Sequence, residues 1–162
     1  MLVLPDALTM STVYSILRTP AESIHPALQI RPEGHCMTLE KDERAAIEKA
    51  VMRYIDGIAR SSPDAVASAF HPDATMTGHF GGEFEFVAHA GRHIADYMRS
   101  IEPTSVHSPH YRGSIESVSQ AAQMAAVTIS EKQLQGHDMR SFFHLHKVDG
   151  NWVITSKATT IL

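Results

Sequence analysis

The chain has 162 residues, enough for one domain with a tail, and its 43% hydrophobic and 20% charged residues are ordinary for a globular protein with a real core. A formal net charge of −4, with no basic run or interleaved aromatic stripe, excludes an electrostatic nucleic-acid partner. No apolar run approaches the ~20 residues needed to span a bilayer, and the single cysteine, Cys36, rules out an internal disulfide, which leaves the cytoplasm as the default location.

Residues 1–36 differ from the rest. Pro5, Pro20, Pro26 and Pro32 interrupt any long helix, because proline lacks the amide donor and clashes with the preceding turn. One short amphipathic helix fits over Thr9–Arg18, but neither a charged n-region nor a continuous apolar core marks a signal peptide. The segment reads as a poorly ordered extension. The domain is expected over residues 37–162, with Met37 placed as an alternative start.

Thr38 predicts an N-cap, and Glu40, Asp42 and Glu43 put negative charge where the helix dipole favours it. Ile47, Ala50, Val51, Tyr54, Ile55 and Ile58 then form one apolar stripe on a long first helix. Ser62-Pro63-Asp64 restarts a second helix that buries Val66, Ala69 and Phe70 and stops before Pro72. Short strands are predicted over Ala74–His79 and Glu83–Val87, joined at Gly81-Gly82. Ile94, Tyr97, Met98 and Ile101 mark a third helix. Four strands follow over Tyr111–Val118, Gln123–Gln133, Met139–Val148 and Trp152–Thr160, with turns at Gly136 and Asp149-Gly150. Helices followed by a run of strands predict an α+β fold.

Three blocks carry a family resemblance. They are Arg53-Tyr54-Ile55-Asp56-Gly57, then Pro63-Asp64-Ala65-Val66 with Ala69-Phe70-His71-Pro72-Asp73-Ala74, and finally Phe142 to Ile154 with Lys157. Together they resemble the nuclear transport factor 2-like superfamily, most closely its lumazine-binding, SnoaL-like branch, over about residues 38 to 162. The resemblance implies a cone-shaped roll, with three N-terminal helices packed in a strongly curved mixed or antiparallel sheet. It also implies a small-molecule ligand in the open end and a homodimer formed through the outer sheet face.

On that resemblance Tyr54 matches the oxyanion-binding tyrosine of ketosteroid isomerase, and a buried phenol can stabilise a developing enolate. The catalytic aspartate of that enzyme falls near Gly78 here, with His79 beside it as a candidate base. Tyr54 and His79 are therefore the candidate catalytic pair of a cofactor-independent lyase, isomerase or dehydratase. His107 and His110 are possible partners. Ile58, Phe70, Met76, Met98, Ser141, Phe143 and Trp152 are the expected pocket residues. The main expectation is a small-molecule-binding domain of unknown activity; this acid–base catalysis is the first alternative and a dimeric assembly or transport adaptor the second.

His89 and His93, four apart, and His144 and His146, two apart, have metal-like spacing. No acidic or cysteine ligand supports either pair, and no metal is assigned. The same resemblance implies that Ser141, Phe143 and Leu145 face inward, and strand alternation then puts His144 and His146 outside. Neither a phosphate-cradling glycine loop nor a dinucleotide fingerprint is present, so no cofactor is expected.

Overall fold

The stripe from Ile47 to Ile58 is the centre of the core: Ile47, Val51, Tyr54 and Ile55 are all buried. In the computed structural model, which describes residues 41–80 and 82–162, the first helix, α1, spans Lys41–Ala59. The expectations for residues 1–36, Met37 and Thr38 lie outside the described residues. After α1 come α2 (Pro63–Ala69), β1 (Phe70–Phe80), β2 (Glu83–Val87) and α3 (Ala90–Ser100). Then follow α4 (Thr104–His107), β3 (Arg112–Ala121), β4 (Met124–Leu134), β5 (His137–Val148) and β6 (Asn151–Ile161).

The strands form one sheet in the order β2-β1-β6-β5-β4-β3. Strands β1 and β6 pair parallel and every other neighbour pairs antiparallel. The sheet is therefore mixed, and it curves around α1, which contacts β3 and β6. This is the expected α+β architecture, with two corrections. A fourth short helix, α4, follows Pro103 where only a loop was expected. Phe70 belongs to β1 rather than to α2, because it already has extended backbone at the helix C-cap. Pro72, which has no amide to donate, sits where the β1–β6 register shifts between Phe70 and Thr75.

The turns follow the predicted chemistry. Asp149 and Gly150 both take positive φ, at 49° and 80°, as a tight hairpin between β5 and β6 requires. The β4–β5 tip is more strained, with Gln133, Gln135 and Gly136 all at positive φ. No helix among the described residues is long and apolar enough to cross a membrane.

Packing of α1 on β3 depends on Gly113. A Cβ there would lie 2.5 Å from Ile55 Cγ2 and 2.8 Å from the Tyr111 hydroxyl. Gly113→Ala is expected to destabilise the domain by about 1–3 kcal/mol through overpacking. A chemical-denaturation midpoint equal to that of the native chain would contradict the close approach.

Candidate ligand-binding site

A charged side chain sits in the middle of the core. On β4 the inward-facing residues are Val127, Ile129 and Glu131, and Glu131 is 0% exposed. A carboxylate taken out of water requires compensation at every lone pair. Tyr54 Oη donates to Oε1 at 3.0 Å and Tyr111 Oη at 3.2 Å. Ser141 Oγ donates to Oε2 at 3.1 Å, and Lys157 Nζ lies 3.5 Å from the same oxygen. Lys157, 5% exposed, also donates to Tyr54 Oη at 2.6 Å. Because Ser141 spends its proton on Glu131, Thr159 Oγ1 supplies the proton of its 2.8 Å contact with Ser141. Among the described residues no buried side-chain nitrogen or oxygen lacks a partner.

The surroundings keep both phenols of this network protonated. Burial first, and the Glu131 carboxylate second, push the Tyr54 and Tyr111 phenols well above their ordinary value. Both stay protonated donors, and the Tyr54 proton is aimed at Glu131. The Lys157 ammonium lies 4.8 Å from the centre of the Tyr54 ring and 5.9 Å from that of Phe143, and these aromatic faces favour its charge further.

Tyr54 and Lys157 face a cavity of about 330 Å³, within the range of small-molecule sites. Its walls are largely apolar: Ile58, Met76, Ile94, Met98, Ile101 and Leu134. Thr159 joins Lys157 on the polar side, and His93, His107 and Glu85 also line it. At the mouth, Gln135 on the β4–β5 tip donates through Nε2 to Tyr97 Oη of α3 at 2.7 Å. The Gln135 amide donates to Ser108 Oγ, also at 2.7 Å, which ties the same tip to the end of α4. Thr104 anchors the other end of α4 by donating from Oγ1 to the Ile58 carbonyl at 2.7 Å.

Of the residues named from sequence, the fold brings Tyr54, Ile58, Met76 and Met98 to this cavity. It does not bring His79. Strand alternation buries Ala74, Met76 and Gly78, so His79 falls on the opposite face, exposed, with its ring 5.5 Å from that of Phe84. Phe70 and Phe143 are core residues rather than pocket walls, packed edge-on against Tyr54 at 5.8 and 5.2 Å. Ser141 is held within the Glu131 network and does not line the cavity.

Trp152 is also elsewhere. Its Nε1 donates to Glu43 Oε2 at 2.9 Å, and Lys147 Nζ donates to the other Glu43 oxygen at 2.6 Å. Together they fasten the start of α1 to the β5–β6 hairpin. The hydrogen bonds from Lys147 and then Trp152 hold the Glu43 carboxyl below its ordinary value of 4.5. A depressed carboxyl stabilises the fold above its unfolded-state value and loses that contribution as pH falls through the folded-state value. The native chain is therefore expected to lose more stability than Glu43→Gln on acidification below about pH 4.5, read from urea midpoints. Parallel acid limbs for the two proteins would remove the clamp from the account.

The histidine pairs separate. His89 precedes α3 in left-handed conformation and contacts the Pro72 carbonyl through Nδ1 at 3.0 Å, whereas His93 turns to the cavity. Ser141, Phe143 and Leu145 are fully buried, with His144 exposed and His146 half-buried on the other face. His107 lines the cavity while His110 is exposed. The residues that sequence reasoning missed are Glu131 and, as a site residue, Lys157.

A curved six-stranded mixed sheet around one long helix, hollow at one end, is the nuclear transport factor 2-like fold. A nuclear transport factor 2-like protein of unknown function from Shewanella baltica OS155 is similar, with a TM-score of 0.67 at 22% identity, over 77% of this chain and 98% of that one. Another from Methylobacillus flagellatus KT gives 0.69 at 20% identity, over 77% and 96%. A ketosteroid isomerase-like protein from Erwinia carotovora atroseptica SCRI1043 gives 0.57 at 19% identity, over 76% and 98%. At such identities the likeness is one of fold. Residues 42–159 match the family described as "Putative lumazine-binding", and the chain belongs to that family. No curated protein matches the chain significantly.

Proposed function

We propose that this domain binds a small, largely apolar molecule in the cavity, with one acceptor oxygen of the ligand on Lys157. The observation that carries the reading is the ammonium at the cavity's inner wall. Lys157 has three N–H groups. One goes to Tyr54 and one faces Glu131, which leaves a donor for the guest. Tyr54 shares the wall but commits its proton to Glu131, so it orients Lys157 rather than donating to the ligand. The apolar wall of Ile94, Met98 and Ile101 supplies the contact area. An acid–base mechanism through His79 lacks support because that ring is on the outer face; His93 and His107 are the imidazoles at the cavity.

A cytoplasmic homodimer accords with this reading. Phe142 and Met124 are about half exposed on the outer sheet surface and would be covered by a second copy.

Met98→Trp fills the cavity from α3 and is expected to weaken binding of a naphthyl probe, 2-naphthylmethanol, by at least about tenfold with the fold retained. Isothermal titration of the two proteins decides this. Unchanged affinity in the filled variant would place the probe, and the proposed site, elsewhere.

A further inference from the structure

We infer that Lys157 captures a carbonyl compound covalently: its side-chain nitrogen forms an iminium with an aldehyde or ketone in the cavity, and Glu131 is the counter-ion. The inference rests on the ligand reading above and deepens it by naming the ligand's reactive group. Lys157 differs from the chain's other lysines. Lys41, Lys49 and Lys132 are exposed and Lys147 is half-buried in the Glu43 clamp. Lys157 alone is both buried and on the cavity wall.

Glu131 and two aromatic faces attract positive charge at Nζ, and none of them requires that the cation be an ammonium. Glu131 receives three hydroxyl donors besides Lys157, and these bonds do not depend on which cation faces it. The aromatic faces of Tyr54 and Phe143 act on charge alone. An iminium keeps the positive charge and one N–H, which can stay on Tyr54, and puts its new carbon into the cavity.

The reaction balances without an oxidant or reductant. The ammonium first loses a proton to water, and the free amine's lone pair attacks the carbonyl carbon. The nitrogen gives up one of its two protons and the carbonyl oxygen takes one up as the carbinolamine forms. That oxygen is then protonated again and leaves as water while the C=N bond closes. Apolar walls that exclude water favour this last step and slow its reversal. Hydrolysis returns the amine and the carbonyl compound.

The test uses the full chain with 2-naphthaldehyde and sodium cyanoborohydride, which reduces an iminium to a stable secondary amine, followed by peptide mass spectrometry. 2-Naphthylmethanol, which cannot form an imine, reports binding in parallel. We expect Lys157, the least exposed lysine, to take up label at least about tenfold faster than any other. Excess 2-naphthylmethanol should suppress that labelling. Lys157→Arg keeps the cation but cannot form the imine, so it should lose the fast label. Alcohol binding with label spread over the exposed lysines overturns the covalent step and leaves the ligand reading intact. Absence of both alcohol binding and Lys157 labelling overturns the two together.

Discussion

Lys157→Met is expected to lower the unfolding free energy by about 3–5 kcal/mol, because it leaves Glu131 as an uncompensated charge in the core. The size follows from the burial of both partners rather than from their contact alone. A comparable exposed pair, such as Arg44 with Glu48 at 2.8 Å, contributes at most about 1 kcal/mol. Glu131→Gln in the same chain should recover a large part of the loss. A neutral amide still accepts from Tyr54 and Tyr111 and removes the orphan charge, whereas Glu131→Leu would strand three hydroxyls. Urea unfolding of the two single variants and the double variant forms a complete cycle. Additive losses across that cycle would mean that the ion pair does not govern the core.

The second large effect belongs to Phe143. Its ring is fully buried and meets Tyr54 and Phe70 edge-on, with centroids at 5.2 and 6.4 Å. Phe143→Ala removes that junction and is expected to destabilise the domain by about 3–5 kcal/mol. Phe143 does not line the cavity but backs Tyr54 and Lys157, which do, so affinity for 2-naphthylmethanol should fall by no more than about tenfold while the stability loss stays large. A small stability loss with a collapse in affinity would return Phe143 to the pocket, as the family resemblance implies.

Most of the fold was legible because the signals were local. The stripe on α1, the Asp149-Gly150 turn and the alternation of Ser141, Phe143 and Leu145 each express a period or a turn geometry that neighbouring residues fix. The site was less legible. Glu131 carried a readable sign, since it continues the inward series of Val127 and Ile129, yet a charge in that series looks like a strand end. Lys157 carried none. On β6, Trp152 and Ile154 are buried, and an unbroken strand would turn Ser156 and Ala158 inward next. Instead the register with β5 slips between the His144–Ser156 and Leu145–Ile154 pairs, leaving Thr155 extra. That bulge inverts the following residues and brings Lys157 and Thr159 inside. His79 was misplaced for the converse reason: its neighbour Gly78 holds the inward position.

The bond between Gln135 and Tyr97 joins a strained hairpin tip to a helix across the cavity mouth. With the Gln135 amide on Ser108, it is one of two polar contacts of that tip that can part without any sheet pairing being undone. For the ligand proposed above, the time it stays and the tightness with which it is held would then be set by different parts of the protein: the first by the rim, the second by the floor.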